Sequence, residues 1–187
     1  MEQLDQLLAW HSAPTLLGFK PSSLIRLSGE GLPQLIEAAG AYGRRLEGSG
    51  IRMDILCRCS HSALLLVYSP SLLGPLLRRP TQRRMLKQAG YPVDRGLGAM
   101  LRHMQHRIAA SPSFPHEVGL FLGYPPGDVA AFQRQGGKGC KLCGYWKVYS
   151  GVPKARRLFR LYDRCRDYLC HGVAEGASIP ELVLSAS

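Results

Sequence analysis

The sequence predicts an α+β fold: a small, mainly antiparallel sheet of three to four strands, covered by several helices in a single domain spanning residues 1–187. Three observations carry that prediction. Two strand-like runs lie a few residues apart: Ile51, Met53, Ile55 and Cys57 alternate with Arg52, Asp54 and Arg58, and Ala63 to Tyr68 is continuously apolar, as a strand buried on both faces would be. Much of the remaining chain repeats apolar residues at three- and four-residue spacing, the signature of one-sided helices. Prolines open several of those segments and glycines close them, as helix termini favour.

Taken in order, Leu4, Leu7 and Leu8 mark a first short helix. It is expected to stop at His11-Ser-Ala-Pro14, because a residue before proline resists helical angles. The segment HSAPTLLGFK then reads as a structured loop, and Leu24 to Leu27 as a short strand. A second helix starts near Pro33, with Leu32, Leu35, Ile36, Ala39 and Leu46 on one face, and ends at Gly48-Ser-Gly50. Cys59, Ser60 and His61 are few enough to make the next two strands an antiparallel hairpin.

Three helical segments follow. One enters at Ser69-Pro70, with a delay allowed at Gly74-Pro75; one opens at Pro80 and closes at Gly90. The third carries Val93, Leu97, Met100, Leu101, Met104 and Ile108 inward, with Arg95, Arg102, His103, His106 and Arg107 on its solvated face. Pro115 and Pro126 each sit at the start of a short helix, with Glu117 and Asp128 in the first turns, where a carboxylate meets the positive end of the helix dipole. Tyr145 to Tyr149 alternates as a strand, Tyr145, Lys147 and Tyr149 on one side and Trp146 and Val148 on the other. A long helix from about Pro153 to Cys170 buries Ala155, Leu158, Phe159, Tyr162, Cys165 and Leu169, and one more helical turn fits after Ser178.

At 187 residues the chain can bury a core without metal or disulfide staples. No apolar run approaches the roughly 20 residues that span a bilayer, and the acidic start MEQLDQLLAW is unlike a signal peptide. A cytoplasmic address is expected, where six cysteines are free thiols, ligands or redox groups rather than bridges. The formal net charge of +11 favours anionic partners. The basic residues are spread along the chain, which argues against a dedicated nucleic-acid face.

At HSAPTLLGFK, FPHEVGLFLGYPPGDVAAF and GYWKVY the sequence resembles a bacterial family known only as domain of unknown function 3793. The matching positions include His11, Pro14, Thr15, Gly18, Lys20, His116, Glu117, Gly119, Gly123, Tyr124, Asp128, Gly144, Trp146, Lys147 and Tyr149. The resemblance implies a cytoplasmic single-domain protein, mostly of anaerobic bacteria, and carries over no catalytic role. Cys140 and Cys143 lie outside the family's common pattern, which counts against a family-wide metal site there.

The residues suggest a pocket formed by the N-terminal loop and the 114–149 stretch, binding a small anionic ligand or cofactor that the sequence does not name. His11, Thr15, Lys20, Tyr124, Asp128, Trp146, Lys147 and Tyr149 are its candidate ligand-binding residues: cations to neutralise phosphate or carboxylate, aromatics to cover a flat ring. Were there catalysis, His116 with Glu117 would move protons. The plainer reading makes Glu117 a helix cap, and Leu120 stands where a zinc-protease helix needs its second histidine. Cys140 and Cys143 have ligand or dithiol spacing, and Cys57 and Cys59 could complete four sulfurs, but a lone C-x-x-C is a weak signal. The alternatives are a nucleic-acid or acidic-protein binding module, on the arginines near 78–84 and 156–166, and a thiol- or metal-dependent redox protein. No membrane partner is expected, and the residues name neither a reaction nor an oligomeric state.

Overall fold

The computed structural model describes residues 2–111 and 113–186, which form an α+β protein. The chain divides into two compact units, one of Met1–Leu73 with Tyr162–Ser187, the other of Gly74–Leu161. No helix among the described residues is long and apolar enough to cross a membrane.

The first unit contains α1 (Glu2–Leu16), β1 (Ser22–Ser28), α2 (Leu32–Arg45), β2 (Arg52–Arg58) and β3 (Ser62–Tyr68). It also takes the start of α3 (Pro70–Arg78), the later part of α8 (Val152–Ala174) and α9 (Ile179–Ser185). The sheet has the order β1-β3-β2 and is antiparallel throughout. Its central strand is therefore the continuously apolar run, and Leu65, Leu66 and Val67 are buried. The register pairs Ile25 with Leu65 on one side and Ile55 with Leu65 on the other. A bulge between Ile55 and Cys57 breaks the expected alternation of β2. An extra residue flips the pleat beyond it, so Leu56 is buried while Ile55 and Cys57 are only half-buried.

The first helix does not stop before Pro14. It runs to Leu16 with Pro14 inside, and ends where Gly18 takes φ +77°. There Phe19 N donates to Pro14 O and Gly18 N to Thr15 O, the paired bonds of a Schellman terminus. Proline costs one hydrogen bond in a helix, but this helix buries Leu4, Leu8, Ala9 and Ala13, and that packing holds the last turn. His11 to Leu16 is thus helix rather than loop. The buried Asp5 ties three elements together: Tyr42 Oη on α2 donates to Oδ2 (2.9 Å), and the first amide of α9, Ile179 N, donates to Oδ1 (2.8 Å).

The second unit holds the rest of α3, then α4 (Pro80–Gln88), α5 (Gly96–Ala110), α6 (Val118–Phe121), α7 (Pro126–Gln135), β4 (Leu142–Cys143), β5 (Lys147–Val148) and the first turns of α8. α3 starts at Pro70, at the expected Ser69-Pro70 entry, and Gly74-Pro75 does not delay it. The strand expected at 145–149 is not part of the main sheet. It shrinks to Lys147–Val148, paired only with Leu142–Cys143 in a two-stranded ribbon. Trp146 and Val148 are buried and Lys147 exposed, as alternation predicts, yet Tyr149 is buried too. The strand has ended by then, and Tyr149 N turns to the Asp128 carboxylate instead.

Candidate functional site: an aromatic cavity in the second unit

The site is assembled by two short glycine-terminated turns and one ribbon. Residues 115–117 lead into the single turn of α6, which Gly123 ends at φ +79°. Tyr124 N donates back to Gly119 O (2.9 Å), closing that terminus and fixing the Tyr124 side chain. A Cβ on Gly119 would lie 3.1 Å from both Tyr124 Cδ2 and Val129 Cγ2, so any larger residue would have to push one of these side chains aside. Pro126 opens α7, and Asp128 follows in its first turn.

Asp128 is the clasp between α7 and the ribbon. One carboxylate oxygen accepts from Trp146 Nε1 at 2.9 Å, the other from Tyr149 N at 2.9 Å and Ser150 N at 3.1 Å. Trp146, so fixed, stacks on Tyr124 (centroids 5.4 Å apart, planes 27°) and receives Phe159 edge-on (4.6 Å, 85°). Gly144 admits that Phe159 ring: a Cβ there would sit 2.4 Å from it.

These elements enclose a cavity of about 430 Å³, walled by residues from Phe114 to Lys147. That volume is in the range of small-molecule sites. Four aromatic rings contribute: Phe114, Tyr124, Phe132 and Trp146. Polar groups are few: His116, Asp128, Cys143 and Lys147, with the Tyr124 phenol. Burial pushes the Tyr124 pKa up to about 12, so it stays a neutral hydroxyl. His116 meets the Phe132 ring edge-on at 4.9 Å, and Lys147 Nζ lies 5.8 Å from the same ring centroid. The ammonium donates to Gly137 O (2.8 Å), one of the three hydrogen bonds it can give.

His116, Tyr124, Asp128, Trp146 and Lys147 therefore share one cavity. Glu117 and Tyr149 do not line it. The Glu117 carboxylate is buried in an ion pair with Arg107 Nε (2.7 Å) and accepts from Tyr91 Oη (3.4 Å). Of the helix face expected to be solvated, His103 is half-buried against Tyr91 (ring centroids 4.6 Å), while Arg107 is exposed as expected and reaches Glu117 with its Nε. The Tyr149 hydroxyl is buried without a hydrogen-bond partner among the described residues. His11, Thr15 and Lys20 belong to the first unit and are not in the cavity wall. His11 is exposed on α1. Thr15 Oγ1 lies 2.8 Å from Ser23 Oγ, and Lys20 Nζ donates to Ser22 O and to Ser23 Oγ.

Two aromatic wall residues, Phe114 and Phe132, are not marked as ligand contacts by the sequence. Phe132 has core spacing and is indistinguishable by pattern from a packed residue; Phe114 precedes a proline turn and is 46% exposed. Cys143 is on the wall and exposed, Cys140 half-buried. Among the described residues no group of three or more His, Cys, Asp and Glu side chains is placed to hold a metal ion.

No curated protein and no solved structure matches the chain. A family model described as "Protein of unknown function (DUF3793)" matches residues 8–183. Nearly the whole sequence is covered, the HSAP, FPHEVG and GYWKVY segments with it, and the chain belongs to the DUF3793 family.

Proposed function

We propose that the cavity of the second unit binds a small, flat ligand carrying an anionic group. The observation that supports this reading is the His116 imidazole and the Lys147 ammonium, both beside Phe132 on a wall that also carries the Phe114, Tyr124 and Trp146 rings. Aromatic faces recognise a planar apolar body, and a lysine at the rim offers an anion a charge-assisted hydrogen bond. Asp128 is a positioning residue, since its acceptors are engaged in fixing Trp146 and the following backbone. A cytoplasmic address accords with the six free cysteines.

The probe that tests the reading is 8-anilinonaphthalene-1-sulfonate, an aromatic anion with a flat naphthalene ring, followed by its own fluorescence. Saturable binding with one site per chain is expected. Lys147→Met should weaken it about tenfold, the loss of one charge-assisted hydrogen bond. An unchanged affinity in Lys147→Met, or binding without saturation, overturns the proposal.

A further inference from the structure

The net positive charge of this protein is confined to one unit. Residues 74–161 hold sixteen lysines and arginines against three acids, a net charge of +13; the remaining residues hold eight against ten, a net charge of −2. The three acids of the basic unit are all engaged. Glu117 is buried against Arg107, Asp128 clasps Trp146, and Asp94 pairs with Arg83. What that unit presents to solvent is accordingly almost purely cationic. The stretch 129–162 has eight lysines and arginines and no carboxylate.

Part of this charge sits on the elements that wall the cavity. Arg134 is in the last turn of α7, Lys138 and Lys141 follow in the loop to the ribbon, and Lys147 is on β5; all four are exposed. On the cavity wall with Lys147, Phe114 offers a ring that is 46% exposed. A basic surface bordering aromatic faces is how proteins hold single-stranded nucleic acid: cations take the phosphates and rings take the bases. An acidic protein would use the charge but has no use for the rings. We propose that the second unit binds single-stranded nucleic acid, with one base in the aromatic cavity and the neighbouring phosphates on Arg134, Lys138, Lys141 and Lys147. This deepens the reading of the cavity given above and rests on it.

The test is fluorescence anisotropy of the full chain with fluorescein-labelled thymidine and uridine oligonucleotides of about twelve residues, from about 50 to 200 mM salt. Four neutralised phosphates predict a slope of log K against log salt of about −3. The tighter of the two strands shows which nucleotide chemistry is preferred, 2′-hydroxyl and C5-methyl taken together. The double variant Lys138→Glu, Lys141→Glu should weaken oligonucleotide binding at least tenfold and leave anilinonaphthalenesulfonate affinity within about twofold, because neither lysine lines the cavity. Phe114→Ala removes a solvent-exposed ring and should weaken the oligonucleotide about tenfold through lost stacking. Its thermal unfolding midpoint serves to confirm an intact fold.

Dye binding without oligonucleotide binding overturns this inference and leaves the cavity reading standing. Absence of both dye binding and Phe114-dependent oligonucleotide binding overturns the cavity reading and this inference with it. Oligonucleotide binding indifferent to Phe114→Ala overturns the base-in-cavity arrangement. Equal displacement of the oligonucleotide by poly-glutamate of matched charge overturns it in favour of an acidic-protein partner.

Discussion

A lysine ammonium with 6% of its surface exposed needs either a ring of acceptors or a lowered proton affinity. Lys20 has the Ser22 carbonyl and the Ser23 hydroxyl, and its burial pulls the pKa down to about 7. The unfolded chain binds that proton up to the ordinary lysine range near 10.5, the folded chain only to about 7. Between those values the unfolded state carries more protons, so stability rises with pH across the window, and the penalty is fully present below pH 7. The gain from pH 7 to 9 is on the order of 2 kcal/mol. Urea unfolding of wild type should show that rise and Lys20→Met should not; parallel slopes would mean Lys20 titrates normally. Asp128 makes a second residue-scale case. An amide keeps one acceptor oxygen and points hydrogens at a donor, so Asp128→Asn should cost about 2 kcal/mol and loosen Trp146, seen as a red-shifted tryptophan emission. The sequence places Asp128 in a first helical turn, but its partners lie 18 to 22 positions further on, which no local pattern encodes.

At the scale of elements, what the sequence conveyed was decided by periodicity and what it missed was decided by tertiary contact. The hairpin, its central strand and the starts of α2, α4 and α7 follow from alternation and from proline or glycine placement. The continuation of α1 through Pro14 does not, because the burial of its other face outweighs one lost hydrogen bond. Nor does the fate of Tyr145 to Tyr149, whose alternation is genuine over three residues but whose pairing partner is the nearby Leu142–Cys143. The turn of that ribbon gives the element-scale prediction. Gly144 donates its amide to Trp146 O (3.2 Å), and its missing Cβ is where the Phe159 ring sits. Gly144→Ala forces ring or turn to move and should destabilise by roughly 1 to 3 kcal/mol. The displaced Trp146 should also lower anilinonaphthalenesulfonate affinity. Full stability with unaltered dye binding would show that the ribbon tolerates the shift.

At the scale of the whole molecule, the site was half legible. The motif residues His116, Tyr124, Asp128, Trp146 and Lys147 do come to one cavity, because all five lie on consecutive short elements of one unit. The convergence expected of His11, Thr15 and Lys20 rested on motif order alone. The charge asymmetry shows most clearly in the acids: the bases are spread along the chain, but ten of the thirteen acids lie outside residues 74–161. Thirteen net charges on one unit repel one another in the folded state more than in an expanded chain, a cost that salt relieves. Raising ionic strength from about 0.01 M to about 0.15 M shortens the screening length from ~30 Å to ~8 Å. The unfolding midpoint should therefore climb by several degrees over that range, with relief of about 1 to 2 kcal/mol. The Lys138→Glu, Lys141→Glu variant, with a net charge lower by four, should start higher and climb less. Ordinary ion pairing would give the opposite sign, since salt weakens attractive contacts. A midpoint that falls with added salt would mean that local pairs such as Arg107 with Glu117 outweigh the net charge, and the unit's surface would then be balanced where it matters.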